Sequence, residues 1–135
     1  MTTIIDASTL SAFLLEEDGH EKIRGLLLKG TFATELALTE SINAVLSALR
    51  RGRIEDEAGD KAIQVLLSFV GSNIRIVQQE ESLVWETFRV AKEHGLASYD
   101  AVYIALAKHL GGSLASRDPK QIDAANKFGV KTITT

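Results

Sequence analysis

Short runs of β-branched and apolar residues alternate along this chain with stretches of helical periodicity, and a glycine closes most of those stretches. Gly30, Gly52, Gly71, Gly95, Gly111 and Gly129 each follow a helical pattern, with Lys29, Arg51, His94 and Lys127 at or just before the stop. A glycine past the last turn, with cations facing the negative end of the helix, is the expected terminator. Between these stops the pattern predicts strands at Thr2–Ile5, Thr31–Thr34, Ile74–Val77, Ser113–Ser116 and Val130–Ile133. Helices are expected at Ser8–Leu15, Gly19–Lys29, Glu35–Arg51, Glu55–Val70, Ser82–His94 with Ser82 as its N-cap, Ser98–Leu110 and Pro119–Phe128. Short apolar strands alternating with helices imply an α/β fold: a three-layer α/β/α sandwich with a central, mostly parallel sheet of about five strands. The 135 residues suffice for one core and not two, and no linker or repeat breaks them, so residues 1–135 are expected to form a single domain.

Composition removes several function classes. With no cysteine, disulfides, thiolate nucleophiles and Cys-ligated zinc are excluded. The net charge of −3, from 15 basic and 18 acidic residues, argues against holding nucleic acid by a broad basic surface. No apolar run approaches a membrane span. The segment from Met1 to Asp6 lacks the basic start and long apolar stretch of a secretion signal, so a cytoplasmic protein is expected. No G-x-S-x-G elbow or phosphate-binding glycine loop is present.

Four acids stand out by position. Asp6 and Asp118 each follow a predicted strand, and in open parallel sheets sites form beyond the carboxyl ends of the strands, where the connection direction reverses. The two would sit side by side if the first and fourth strands were neighbours, which periodicity alone leaves open. Glu40 lies inside the long helix 35–51. At 100° per residue, Leu38, Ile42, Val45, Leu46 and Leu49 are expected to share its buried face, leaving Glu40, Asn43 and Ser47 on a polar stripe opposite. Asp100 opens a helix whose next seven residues, Ala101 to Ala107, leave no polar face, so its carboxylate needs a partner. Singly, each acid has an ordinary structural explanation. Asp6 can be a turn residue with Ser8 as a cap, Asp118 before Pro119 makes a good N-cap, Asp100 can answer a helix dipole, and Glu40 can be solvated. Together they suggest a shared cation.

Carboxylates forced together repel, and Mg²⁺ or Mn²⁺ removes that penalty through hard oxygen ligands and water. Such an ion can bind a phosphate oxygen and activate a water for in-line attack. It also reverses the local sign, which lets an acidic protein accept RNA.

These residues resemble the PIN-domain ribonucleases, and within them the VapC-type toxins of toxin–antitoxin pairs. The resemblance runs from IIDASTLSAFL, with Asp6 as the first acid and Ser8 two residues on, through LTESINAVLSALRRGRI, with Glu40 as the second acid and Asn43 as the following amide. It is strongest at SYDAVYIALAKHLGGSLASRD, where Asp100 matches the third acid and Ser116 and Asp118 the final Thr/Ser-x-Asp. Serine at 116, where threonine is commoner, keeps the hydroxyl. The resemblance implies a Mg²⁺- or Mn²⁺-dependent endoribonuclease toxin, with Asp6 and Asp100 as principal metal ligands and Glu40 and Asp118 completing the pocket. It also implies an RNA substrate, a homodimer and a cognate antitoxin that reaches into the site.

Other features read more plainly. Arg50, Arg51 and Arg53 compensate a helix end or contact phosphate or antitoxin carboxylates. Trp85 and Phe88, with Val84 and Ala91, are expected in core or dimer packing rather than base stacking. His20, His94 and His109 sit near helix ends without a second ligand at metal spacing. Competing functions are a non-catalytic PIN-like module binding RNA or protein, and a structure-specific DNA nuclease. A phosphoacceptor receiver domain would show adjacent acids after the first strand and a lysine after the last, a pattern this chain lacks.

Overall fold

The computed structural model describes residues 2–135. Five strands, β1 (Thr3–Ile5), β2 (Thr31–Thr34), β3 (Ile74–Val77), β4 (Ser113–Ala115) and β5 (Thr132–Ile133), form one sheet in the order β3-β2-β1-β4-β5. Every pairing is parallel. Ile4 sits in register with Phe32 on one side and Leu114 on the other, so β1 is the central strand. The helices are α1 (Ala7–Leu14), α2 (His20–Lys29), α3 (Glu35–Arg50), α4 (Asp56–Phe69), α5 (Glu81–His94), α6 (Ser98–Leu110) and α7 (Pro119–Lys127).

The chain builds outward from β1 through β2 to β3, then crosses to the other side of β1 for β4 and β5. With right-handed crossovers the helices of each half must cover opposite faces. The packing agrees: α1 meets α2, α3 and α4, while α6 meets α5 and α7. The reversal of direction falls between β1 and β4, which makes the carboxyl ends of those two strands the natural crevice.

Helix α6 is the core of its layer. Ala101 through Ala107 are all buried, and the helix rests on β1 and β4 as well as on α5 and α7. It ends at Gly111, left-handed at φ 63°. The chain then passes β1 so closely that a Cβ on Gly112 would lie 2.7 Å from the Thr2 carbonyl oxygen. That oxygen accepts the Ser113 N–H at 2.9 Å, so it cannot retreat without breaking the first bond of the β1–β4 pair.

The structure departs from the sequence expectation in α3 and at the start of α5. In α3 the buried stripe is Ala37, Ser41, Val45 and Ala48, whereas Ile42 and Leu46 are 42% and 38% exposed. α3 packs against α1, and the small residues are the ones that admit a close neighbour. Glu40 consequently stands about a quarter turn from the buried stripe, at its margin rather than opposite it. Ser82 is not the cap of α5: the helix starts at Glu81 with Glu80 in the cap position. Of the two environments expected for Trp85 and Phe88, the core is not the one they occupy: they are 54% and 53% exposed and in edge-to-face contact with each other at 6.2 Å.

Candidate functional site

Asp6 leaves β1 and immediately caps α1. Its Oδ1 accepts the Thr9 backbone N–H at 2.9 Å and the Ser8 hydroxyl at 2.8 Å, while Oδ2 accepts the Gln121 side-chain amide at 3.0 Å. Its backbone N–H donates to the Ala115 carbonyl, carrying the β1–β4 pairing one residue past the strands. The strand end is thus sewn to the segment after β4. The Ser8 hydroxyl also accepts the Arg117 N–H at 3.0 Å, and the Ser116 hydroxyl accepts the Asp118 N–H at 3.1 Å. Asp118 caps α7 by accepting the Lys120 N–H at 3.0 Å, with Pro119 as the first helical residue. The plain capping reading of Asp118 is therefore correct, whereas the cap expected at Ser8 falls instead on Asp6, because the helix already begins at Ala7 and Ser8 lies in its first turn; both caps aim their acids at the crevice.

The other two acids arrive from opposite layers. Glu40 reaches in from α3 and accepts the Tyr103 hydroxyl at 3.1 Å; Asp100 comes from the first turn of α6. Asp6, Glu40, Asp100 and Asp118 line one open hollow of about 350 Å³, together with Ser8, Ser11, Ala44, Tyr103 and Gln121.

Electrostatics reports the same convergence. Burial pushes the Asp6 carboxyl above its ordinary value, opposed by hydrogen bonds from Ser116, Thr9 and Ser8. Burial likewise raises Glu40; the Tyr103 hydroxyl opposes this, and the charges of Asp100 and Asp6 add to it. Asp100 is raised by burial and by Asp118 and Asp6, with Lys120 pulling the other way. Burial and the neighbouring Glu40 push the Tyr103 phenol far above its usual range, so it remains a donor. Each of these shifts penalises the charged state that a bound cation would favour.

The donor set is wholly oxygen, carboxylate and hydroxyl, and suits a hard divalent ion. Among the described residues no group of three His, Cys, Asp or Glu side chains is already gathered to hold a metal.

Not every expected residue is here. Ser8 and Ser116 support Asp6, but Asn43 is exposed and does not line the hollow. Arg50, Arg51 and Arg53 are exposed at the far end of α3, about 15 Å from Glu40 along the helix. His94 stacks edge-on against Phe128 at 5.4 Å, and His20 sits 3.7 Å from Glu21. The two residues whose side chains donate to the acids from distant elements, Tyr103 and Gln121, were not singled out from the sequence. Each left a signal: a phenol inside the otherwise apolar run Ala101–Ala107, and a glutamine sharing the buried stripe of α7 with Ala124 and Ala125.

Comparison with known proteins gives a consistent picture. Residues 3–127 match the model of the PIN domain. Two curated relatives come from Pyrobaculum aerophilum. Ribonuclease VapC3 is 28% identical over 120 residues, covering 87% of this chain and 90% of that protein. Exonuclease VapC9 is 30% identical over 115 residues, covering 85% and 79%. Among solved structures, that of VapBC2 from Rickettsia felis, bound to a DNA fragment from their promoter, superimposes with a TM-score of 0.70. It covers 100% of this chain and 99% of the matched one at 13% identity, a likeness of fold.

Proposed function

The chain belongs to the PIN-domain family and is of the VapC kind, and from that premise we propose that it is the nuclease toxin of a toxin–antitoxin pair, an endoribonuclease that uses Mg²⁺ or Mn²⁺. The observation that carries the reading is the meeting of Asp6, Glu40, Asp100 and Asp118 in one hollow at the carboxyl ends of β1 and β4. Asp6 and Asp100 are the principal ligands in this reading, and Glu40 and Asp118 complete the acidic wall. A hard divalent cation bound there would supply Lewis acidity toward a phosphodiester and offset the negative charge of the hollow. The chain's own residues do the positioning. Ser8, Thr9, Ser116 and Gln121 hold Asp6, Tyr103 holds Glu40, and Lys120 puts a positive charge near Asp100.

The partner in this reading is an antitoxin, supported by the likeness to the VapBC2 structure, and the setting is the cytoplasm. Among the described residues no helix is long and apolar enough to cross a membrane. A single domain over residues 1–135 belongs to the same reading, and the joining of all five strands of the described residues in one sheet supports it. A homodimer is supported by Val84, Trp85 and Phe88, which form an exposed apolar stripe on α5 at helical spacing.

The test is cleavage by purified protein with Mn²⁺ of single-stranded RNA, linear and circular, beside single-stranded DNA. An endoribonuclease opens the circle; an exonuclease trims only the linear form; cutting DNA alone would replace RNA as the substrate. Asp6→Asn and Asp100→Asn should each abolish cleavage while retaining a cooperative melt. Normal cutting by both variants would overturn the assignment of the site.

A further inference from the structure

Gln121 occupies the third position of α7, after the cap Asp118, Pro119 and Lys120. A glutamine there ordinarily reaches back to the backbone N–H of the cap residue. In this chain that N–H is already taken by the Ser116 hydroxyl at 3.1 Å. Gln121 instead turns inward, 2% exposed, and its Nε2 donates to Asp6 Oδ2 at 3.0 Å across 115 residues of sequence. With Asp6 ionised, as it would be beside a cation, the amide nitrogen must face it, because an ionised carboxylate only accepts. The Thr9 and Ser8 bonds both go to Oδ1 and both come from α1, the helix that Asp6 itself caps. The Gln121 bond goes to the other oxygen and comes from the helix that Asp118 opens.

We propose that Gln121 is a positioning residue for divalent-cation binding: by holding the Oδ2 edge of Asp6 from the first turn of α7, it sets the relative geometry of Asp6 and Asp118. This rests on the metal-dependent reading of the hollow and adds to it a residue outside the four acids. Oriented partners of this kind typically govern affinity as strongly as some ligands do, so losing one costs about 10- to 100-fold in metal binding or activity.

Calorimetric titration of Mn²⁺ into the wild type, Gln121→Met, Gln121→Asn and Asp6→Asn tests the proposal. Gln121→Met keeps length and loses the donor; Gln121→Asn keeps the amide but is one methylene too short to reach. Both should weaken Mn²⁺ binding by about 10-fold or more. RNA cleavage should need correspondingly more Mn²⁺ for half-saturation, with kcat recovering at high Mn²⁺ for both Gln121 variants and not for Asp6→Asn. A purely structural role would lower the melting temperature and leave the Mn²⁺ affinity of the folded protein unchanged. Should Gln121→Met fail to fold, Gln121→Asn carries the measurement. Wild-type-like Mn²⁺ affinity in the folded variants overturns the proposal while leaving the metal site intact. A wild type that takes up no Mn²⁺ overturns the metal reading itself, and this inference with it.

Discussion

Replacing Tyr103 by phenylalanine removes a single oxygen from α6 and deprives Glu40 of the hydroxyl that donates to its Oε1 at 3.1 Å. The ring, 2% exposed, stays in place, so the change opens almost no cavity. A hydrogen bond to a charged group contributes about 1.5–3 kcal/mol. Glu40 is only half-buried, and water can partly replace the donor, which puts the expected cost near the bottom of that range, about 1.5 kcal/mol. Unfolding entropy scales with length; at about 2.1 cal/mol/K per residue, a chain of this size should lose about 5 °C in Tm. The pH dependence identifies the cause. Tyr103 stabilises the ionised form of Glu40 and so opposes the upward push from burial, Asp100 and Asp6. Without it the Glu40 carboxyl rises further. The variant's deficit is then fully present above Glu40's raised range and shrinks as pH falls through it, because a protonated Glu40 no longer depends on the donor. Paired thermal melts of wild type and Tyr103→Phe, cation-free, at neutral and mildly acid pH measure this directly. An equal deficit at both pH values, or none at either, would refute the reasoning.

The same linkage applies to the acids together. Asp6, Glu40 and Asp100 all have folded values raised above the ordinary carboxylate range. Their ionisation therefore costs stability, a cost absent below the ordinary range and fully present above the raised one. The cation-free protein should lose stability as pH rises through that window, apart from whatever the rest of the chain contributes. Mn²⁺ at about 100 times its Kd should restore about 2.7 kcal/mol at neutral pH, or about 9 °C in Tm for a chain this long; a melt insensitive to Mn²⁺ would contradict this. The proposed dimer is tested by Trp85→Lys, which places a charge in the exposed α5 stripe and should shift sedimentation velocity from dimer toward monomer without changing the fold. An unchanged sedimentation coefficient would overturn the proposed α5 interface.

Much of the architecture is a local matter and could be read residue by residue. Helix ends were legible at Gly95 and Gly111 because a left-handed terminus with cations before it is decided within one turn. The strands at 31–34 and 74–77 were legible because β-branched runs between such stops have little alternative. The acids at 6 and 118 could be picked out because Asp6 directly follows a strand and Asp118 comes three residues after one, and their capping bonds span only two or three residues. Where a feature depends on a neighbour, periodicity fails. The buried face of α3 was misjudged because hydrophobicity ranks Ile42 and Leu46 above Ala37 and Ser41, while the close passage of α1 selects for small side chains.

By itself, then, the chain's order of residues determined the element types, the parallel class of the sheet and the identity of the four acids, since each follows from contacts within a few residues or from a motif. Only the tertiary structure decided that β4 pairs with β1, and with it that Asp6 and Asp118 face the same crevice. It alone supplied the donors Tyr103 and Gln121, whose bonds to Glu40 and Asp6 cross 63 and 115 residues. The physical reason is that a carboxylate's environment is set by whichever elements pack around it, and strand order, not local propensity, determines which elements those are.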